Sequence, residues 1–207
     1  MTYISQNEIE ARASNLWRRH QLSIGFDAER LLDDLGLDLL WEKVADQPDG
    51  VVLGQLVPSE KLVVLNDEQR DRLEQNGGRQ RRFTIAHEVG HWDLHSDAAR
   101  SGTLSLFDGR RVLCREKSLH PVERQAEKFA AALLMPYDQL RSVLPGAPWR
   151  GWRTVYNLAN RFVVTPTAMA VRLEELGWMH RDDAGLPVSG RKVAAGQGSL
   201  FPESGPR

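Results

Sequence analysis

The 207-residue chain is 41% hydrophobic and 27% charged, the balance of a globular protein able to bury a core rather than of a disordered or fibrous one. Its 27 Lys and Arg stand against 28 Asp and Glu, a formal net charge of −1, so no global field draws it toward nucleic acid or an acidic membrane, and any such binding must be local. A single cysteine, Cys114, excludes an internal disulfide framework and a cysteine metal cluster; with no basic start, no apolar leader and no membrane-length apolar run, a cytoplasmic location is expected.

In chain order, Ile9, Ala13, Leu16 and Trp17 recur at helical spacing between Gln6 and His20, which predicts an amphipathic helix. Asp27 is placed to cap a second helix carrying Ala28, Leu31, Leu32 and Leu35, and Gly36 to end it. Leu37 to Val44, Gly50 to Val57 and Lys61 to Asn66 are rich in β-formers and predict a small sheet, with Pro58-Ser59-Glu60 as a turn. A polar helix from Asp67 should break at Gly77-Gly78, before a helix over Arg82 to His95. Thr103 to Phe107 and Arg110 to Cys114, around Asp108-Gly109, suggest a hairpin. Helices follow at Glu123 to Met135, stopped by Pro136, at Trp152 to Arg161 and at Thr167 to Leu176. From Arg181 onward the periodicity fails and Gly, Pro and Ser accumulate, as in a disordered tail.

The chemistry concentrates in His87-Glu88-Val89-Gly90-His91. On a helix of 3.6 residues per turn the two histidines project from nearly one face, about 6 Å apart along the axis, so both can reach one ion. Zinc suits imidazole nitrogen and, in catalytic sites, keeps three protein ligands and an open position for water. Glu88, about 100° further around the helix, can face that water as general base. The bland alternative is a solvated face carrying two exposed histidines and a glutamate. Against it, Gly90 costs a mid-helix position roughly 1 kcal/mol relative to Ala. Ile85, Val89 and Trp92 form an apolar stripe, predicting that one side of the helix is buried while His87 and His91 lie on another.

A third ligand is required. His95 continues the spacing, but three successive turns of a straight helix do not converge on one ion, so it reads as a packing or outer residue. Glu123 opens a helix whose stripe of Ala126, Phe129, Ala130, Leu133 and Leu134 needs a partner, and packing on the histidine helix would bring it to the metal. Glu127 is placed to accept the free ring N–H of a ligand histidine. Alternatively, Glu123 and Glu127 share a solvated face with Arg124 and Lys128.

Arg82-Phe83-Thr84-Ile85-Ala86-His87-Glu88-Val89-Gly90-His91, followed by Glu123-Arg124-Gln125-Ala126 and Phe129 to Pro136, resembles the ImmA/IrrE family of bacterial and phage metallo-endopeptidases. The resemblance extends from about Glu8 to Gly177. It implies zinc on His87, His91 and Glu123 with Glu88 catalytic, and as substrate a helix-turn-helix repressor of the Xre type. Cleavage would then relieve repression in response to stress or mobile-element induction. The family commonly has Asn or Asp where this chain has Glu127. The expected fold is α+β: a mostly helical zincin-like metalloprotease domain over residues 1–140 with a small sheet beside the active-site helix, then a C-terminal helical region over 141–180, and a tail over 181–207. A sheet edge among Val51 to Leu65 would suit an extended substrate segment.

Leu158 to Leu173 also resembles half of a helix-turn-helix. With Arg150, Arg153, Arg161 and Arg172 it keeps open a DNA-binding or toxin-antitoxin regulator in which zinc is structural or sensory. The bland alternative is that these helices complete the core or dock the repressor. An oxyanion stabiliser beyond the metal is expected, with Tyr156, Tyr137 and His120 as candidates. Trp149 and Trp152, near Pro145 to Pro148, read as a partner surface or as buried packing.

Overall fold

The structure, a computed structural model, describes residues 4–46, 50–100, 112–115 and 121–190, with the side chains of 96–100 and 112–115 excepted. The chain divides into two compact units, Met1–Pro136 and Tyr137–Arg207.

In the first unit, helix α1 (Gln6–Arg19) starts at Ser5, whose hydroxyl accepts the Glu8 N–H at 3.3 Å, and buries Ile9, Ala13 and Leu16. Trp17 is only half-buried. Helix α2 (Ala28–Leu35) is capped by the Asp27 carboxylate on the Glu29 N–H at 2.9 Å and closed by Gly36 at φ 67°, the left-handed conformation a helix end favours in glycine. The three β-rich runs become β1 (Asp38–Glu42), β2 (Val52–Val57) and β3 (Leu62–Asn66).

They join β4 (Val112–Arg115) in one sheet of order β1-β3-β2-β4, in which β1 runs parallel to β3 and the other pairs are antiparallel. The first arm of the expected hairpin, Thr103 to Phe107, and its Asp108-Gly109 turn lie outside the described residues. Its second arm pairs Leu113 with Gln55 and Cys114 with Gly54. Strand β2 is therefore internal and buried at every position, which explains why its sequence reads as a continuous apolar run rather than an alternation.

Asn66, at the end of β3, is fully buried. Its Oδ1 accepts the Val44 N–H at 3.0 Å and the Glu68 N–H at 3.1 Å, while Nδ2 donates to the carbonyls of Val44 and Val52, both at 2.8 Å. One side chain thus ties the exit of β1, the entry of β2 and the short 3-10 turn Asp67–Gln69 to the end of β3, satisfying backbone groups that would otherwise be orphaned in the interior.

Helix α3 (Arg70–Arg100) is interrupted at Gln75–Gly78, where Asn76, Gly77 and Gly78 all have positive φ, so the expected glycine break is present and the segment carrying the histidines is a separate straight run. That run packs on β2, β3 and β4 and on helix α4 (Pro121–Leu134). Helix α4 starts with Pro at its first turn, where a missing N–H costs nothing. It lies between α3 and α1, and Ala126, Phe129, Ala130 and Leu133 are fully buried.

The second unit holds α5 (Tyr137–Val143), α6 (Trp152–Phe162) and α7 (Pro166–Glu175), then a hairpin of β5 (Met179–Arg181) and β6 (Pro187–Ser189). Between α6 and α7, Val163 is left-handed at φ 54° and its N–H returns to Ala159 and Asn160; the Thr165 hydroxyl then caps α7 on the Ala168 N–H at 3.1 Å. The hairpin corrects the expectation of a disordered tail from Arg181. Its strands are too short to show a period. They are held by non-local bonds from Gly151 N–H to Pro187 and from Ser189 N–H to Trp149, and its turn is fixed by Asp182 accepting the Ala184 and Leu186 N–H groups. The remainder of the expected tail, residues 191–207, lies outside the described residues.

Candidate metal centre

Three side chains converge where α3 meets α4. His87 Nε2 lies 2.9 Å from His91 Nε2 and 3.2 Å from Glu123 Oε2, and His91 Nε2 lies 3.3 Å from Glu123 Oε1. Two Nε2 atoms at 2.9 Å cannot both present lone pairs to each other, so a proton or a cation must lie between them. Four-coordinate zinc with bonds of about 2.05 Å would hold its ligand atoms about 3.3 Å apart. The observed triangle is within a few tenths of an ångström of that spacing, and the donors are the imidazole and carboxylate groups zinc takes. These residues fit a metal ion.

The environment sets the charge states a metal needs. Burial lowers the His91 pKa from its ordinary value, outweighing the attraction of Glu123 and favouring the neutral ring. Burial works to raise the Glu123 carboxyl, but hydrogen bonds from His87 and His91 overcome it and hold the group well below the usual carboxylate range. Neutral imidazole beside ionised carboxylate is the ligand-ready state.

Glu88, next to His87 on α3, has no exposure, and among the described residues neither of its carboxylate oxygens has a hydrogen-bond partner. Burial first, and the negative charge of Glu123 second, push its pKa well above the ordinary value. An unsatisfied buried carboxyl is costly, and groups perturbed in this way cluster at functional sites.

The site corrects two expectations. Residues 84–91 are buried throughout, so the histidines do not occupy a second, less buried face: the sheet covers one side of α3 and α4 another. A one-sided stripe was expected because histidine, glutamate and threonine do not read as core. Among the described residues the Nδ1 atoms of His87 and His91 have no hydrogen-bond partner, so neither donates a ring N–H to Glu127, which is half-buried on α4. His95 packs with its ring centroid 5.7 Å from that of His91 and is bonded to the Val122 backbone, outside the ligand triangle. Tyr137, tilted at 47° against Trp178, and Tyr156, beside Trp152, belong to the second unit, and His120 lies outside the described residues. Arg172 is buried and is not a surface cation.

The sequence reading passed over Gly54 and Thr84. Thr84 is one turn before Glu88, has no exposure, and its hydroxyl has no hydrogen-bond partner among the described residues; Gly54 on β2 faces both. A glycine inside a strand pattern is the available signal, since it marks a bulge or a close backbone approach.

A helix carrying His-Glu-x-x-His against a small mixed sheet, with a glutamate delivered by the next helix, defines the class: an α+β, zincin-like metallopeptidase domain. More specifically, a family model described as Peptidase_M78, IrrE N-terminal-like domain, matches residues 53–174, and the chain belongs to that family. Among solved structures, a Mycobacterium tuberculosis transcriptional regulator is similar at 19% identity with a TM-score of 0.49, covering 88% of this chain and 53% of that one, so the chain spans about half the length of that protein. A search of curated proteins finds no match. Among the described residues, no helix is long and apolar enough to cross a membrane.

Proposed function

We propose that the protein is a zinc-dependent endopeptidase, with His87, His91 and Glu123 as metal ligands, Glu88 as general base, and a helix-turn-helix repressor of the Xre type as substrate. The observation that carries this reading is the pairing of a buried His-His-Glu triangle with a carboxylate, one residue along from His87, whose oxygens have no hydrogen-bond partner among the described residues. Membership of a peptidase family supports the reaction class; the substrate rests on the ImmA/IrrE resemblance.

Zinc, when bound, would supply Lewis acidity toward the scissile carbonyl and make water more acidic. His87 and His91, on successive turns of a rigid helix, and Glu123, on a helix packed against it, hold the three ligand positions without rearrangement. Glu88 takes the proton of the attacking water and returns it to the departing amine. Burial of all four groups strengthens each electrostatic contact.

Zinc-loaded protein incubated with an Xre-type repressor should cut it, and Glu88→Gln, which keeps the shape but cannot accept the proton, should not. Equal cleavage by both would refute the assigned role. A DNA-binding regulator is the second reading, favoured by the α6–turn–α7 pair with its following hairpin. It is weakened because Arg172 is buried, Arg150 is held on Asp182 at 2.9 Å and Arg181 on Glu174 at 2.9 Å. Salt-sensitive duplex binding without proteolysis would favour it.

A further inference from the structure

The endopeptidase reading requires two carboxylates in fixed places on different walls of the site, Glu123 on α4 against the histidines and Glu88 on α3 against β2. We propose that each is set by a glycine that lets its wall approach more closely than any side chain allows, Gly90 for Glu123 and Gly54 for Glu88. Neither glycine has a positive φ, so backbone freedom is not what either position requires. Space is.

At Gly90 a Cβ would stand 3.1 Å from the Ala126 carbonyl oxygen, 3.2 Å from Ala126 Cα and 3.2 Å from Phe129 Cβ. All three atoms are backbone or the root of a side chain, and none can swing aside. A methyl group there must separate α3 from α4 by a few tenths of an ångström. Glu123 lies one turn before Ala126 on the same helix, so it moves with that displacement, away from His87 and His91, which it meets at 3.2 and 3.3 Å. Alanine would favour the helix itself by about 1 kcal/mol; helical preference therefore argues against glycine here and close approach argues for it.

At Gly54 a Cβ would stand 2.8 Å from Thr84 Cγ2, 3.2 Å from the Val64 carbonyl oxygen and 3.5 Å from Glu88 Oε1. The first of these is a steric overlap. Thr84 and Glu88 are one turn apart, so β2 lies across both, and the absence of a side chain at Gly54 leaves the volume in which the Glu88 carboxylate rests. A methyl group would lift β2 from α3 at that point and change the wall against which Glu88 is held.

The two glycines act on different carboxylates, so their effects separate. Zinc affinity is measured by competition with a chromogenic chelator, cleavage by kcat and KM, and folding by urea unfolding of the metal-free protein. Gly90→Ala should lose about 10-fold or more in zinc affinity, as when a supporting partner of a ligand is removed. Ala126→Ser, which adds one atom at the buried residue whose Cα and carbonyl face Gly90, should show the same loss should Gly90→Ala fail to fold. Gly54→Ala should bind zinc like the parent but lose about 10- to 100-fold in kcat at constant KM, the scale of a displaced reacting group. The double variant Gly54→Ala/Thr84→Ser, which removes Cγ2 and keeps the hydroxyl, should recover both kcat and the urea midpoint. Parental zinc affinity in Gly90→Ala or in Ala126→Ser, parental kcat in Gly54→Ala, or no recovery in the double variant would overturn the assignment. If the parent binds zinc and cleaves nothing, the endopeptidase reading fails, while zinc affinity still decides Gly90 and the urea midpoint still decides Gly54.

Discussion

Replacing Asn66 with Ala removes a clasp at the centre of the first unit. The fully buried side chain makes four hydrogen bonds at 2.8–3.1 Å to the backbone of Val44, Val52 and Glu68. Alanine offers none, and the Val44 N–H and the carbonyls of Val44 and Val52 remain in the interior. A hydrogen bond contributes about 1 kcal/mol net, and an orphaned buried group costs about 1–3 kcal/mol. Some backbone groups will rehydrate as the β1–β2 connection loosens, so a loss of about 3–4 kcal/mol is expected rather than the full sum. That is a large part of the 5–15 kcal/mol typical of a domain. Urea unfolding of the metal-free protein should show the loss as a lower midpoint at similar m, and Tm should fall by about 10 °C at roughly 2–4 °C per kcal/mol. Because β2 carries Gly54 onto α3, zinc-dependent cleavage should also weaken. A change below about 1 kcal/mol would mean that these bonds do not hold the sheet.

Glu123→Gln keeps the shape of the proposed third ligand and removes its charge. Zinc affinity, read by chelator competition, should fall further than the roughly 10- to 100-fold that loss of an outer partner costs, and parental affinity would remove Glu123 from the ligand set. His95, pushed down to about 4 chiefly by burial, gives the metal-free protein a pH dependence. Its folded pKa is below the unfolded value near 6.5, so its contribution is fully present above pH 6.5 and is lost as pH falls through the window toward 4. The loss is at most about 3 kcal/mol. His95→Gln should flatten the stability profile across that window, and an unchanged slope would contradict the burial of a neutral ring.

Much of this molecule is legible in its sequence where the signal is local. Asp27 caps a helix because a short polar side chain can reach an orphan N–H, and Gly36 ends it because it accepts positive φ. Glu123 can be proposed as a ligand because α4 has an apolar stripe that needs a partner, and the structure brings it to His87 and His91. What the sequence conceals is non-local. Pairing with β3 on one side and with the distant β4 on the other places β2 inside the sheet, and α3 is covered by that sheet on one side and by α4 on another. Asn66 looks like a strand-ending asparagine; its role depends on Val44 and Val52, which only the fold brings to it. The β5–β6 hairpin is invisible to periodicity because its strands are three residues each and its support comes from Trp149 and Gly151. Gly54 and Gly90 mark places where two elements nearly touch, and a sequence shows the glycine without showing what faces it.

The metal centre is tested most directly by crystals grown with zinc, with anomalous scattering recorded at the zinc absorption edge. The expected result is a single strong peak about 2.0–2.2 Å from His87 Nε2, His91 Nε2 and a Glu123 carboxylate oxygen, with the Glu88 carboxylate outside that bonding distance. A peak among other side chains, zinc bound by Glu88 in place of Glu123, or no peak at the junction of α3 and α4 would contradict it.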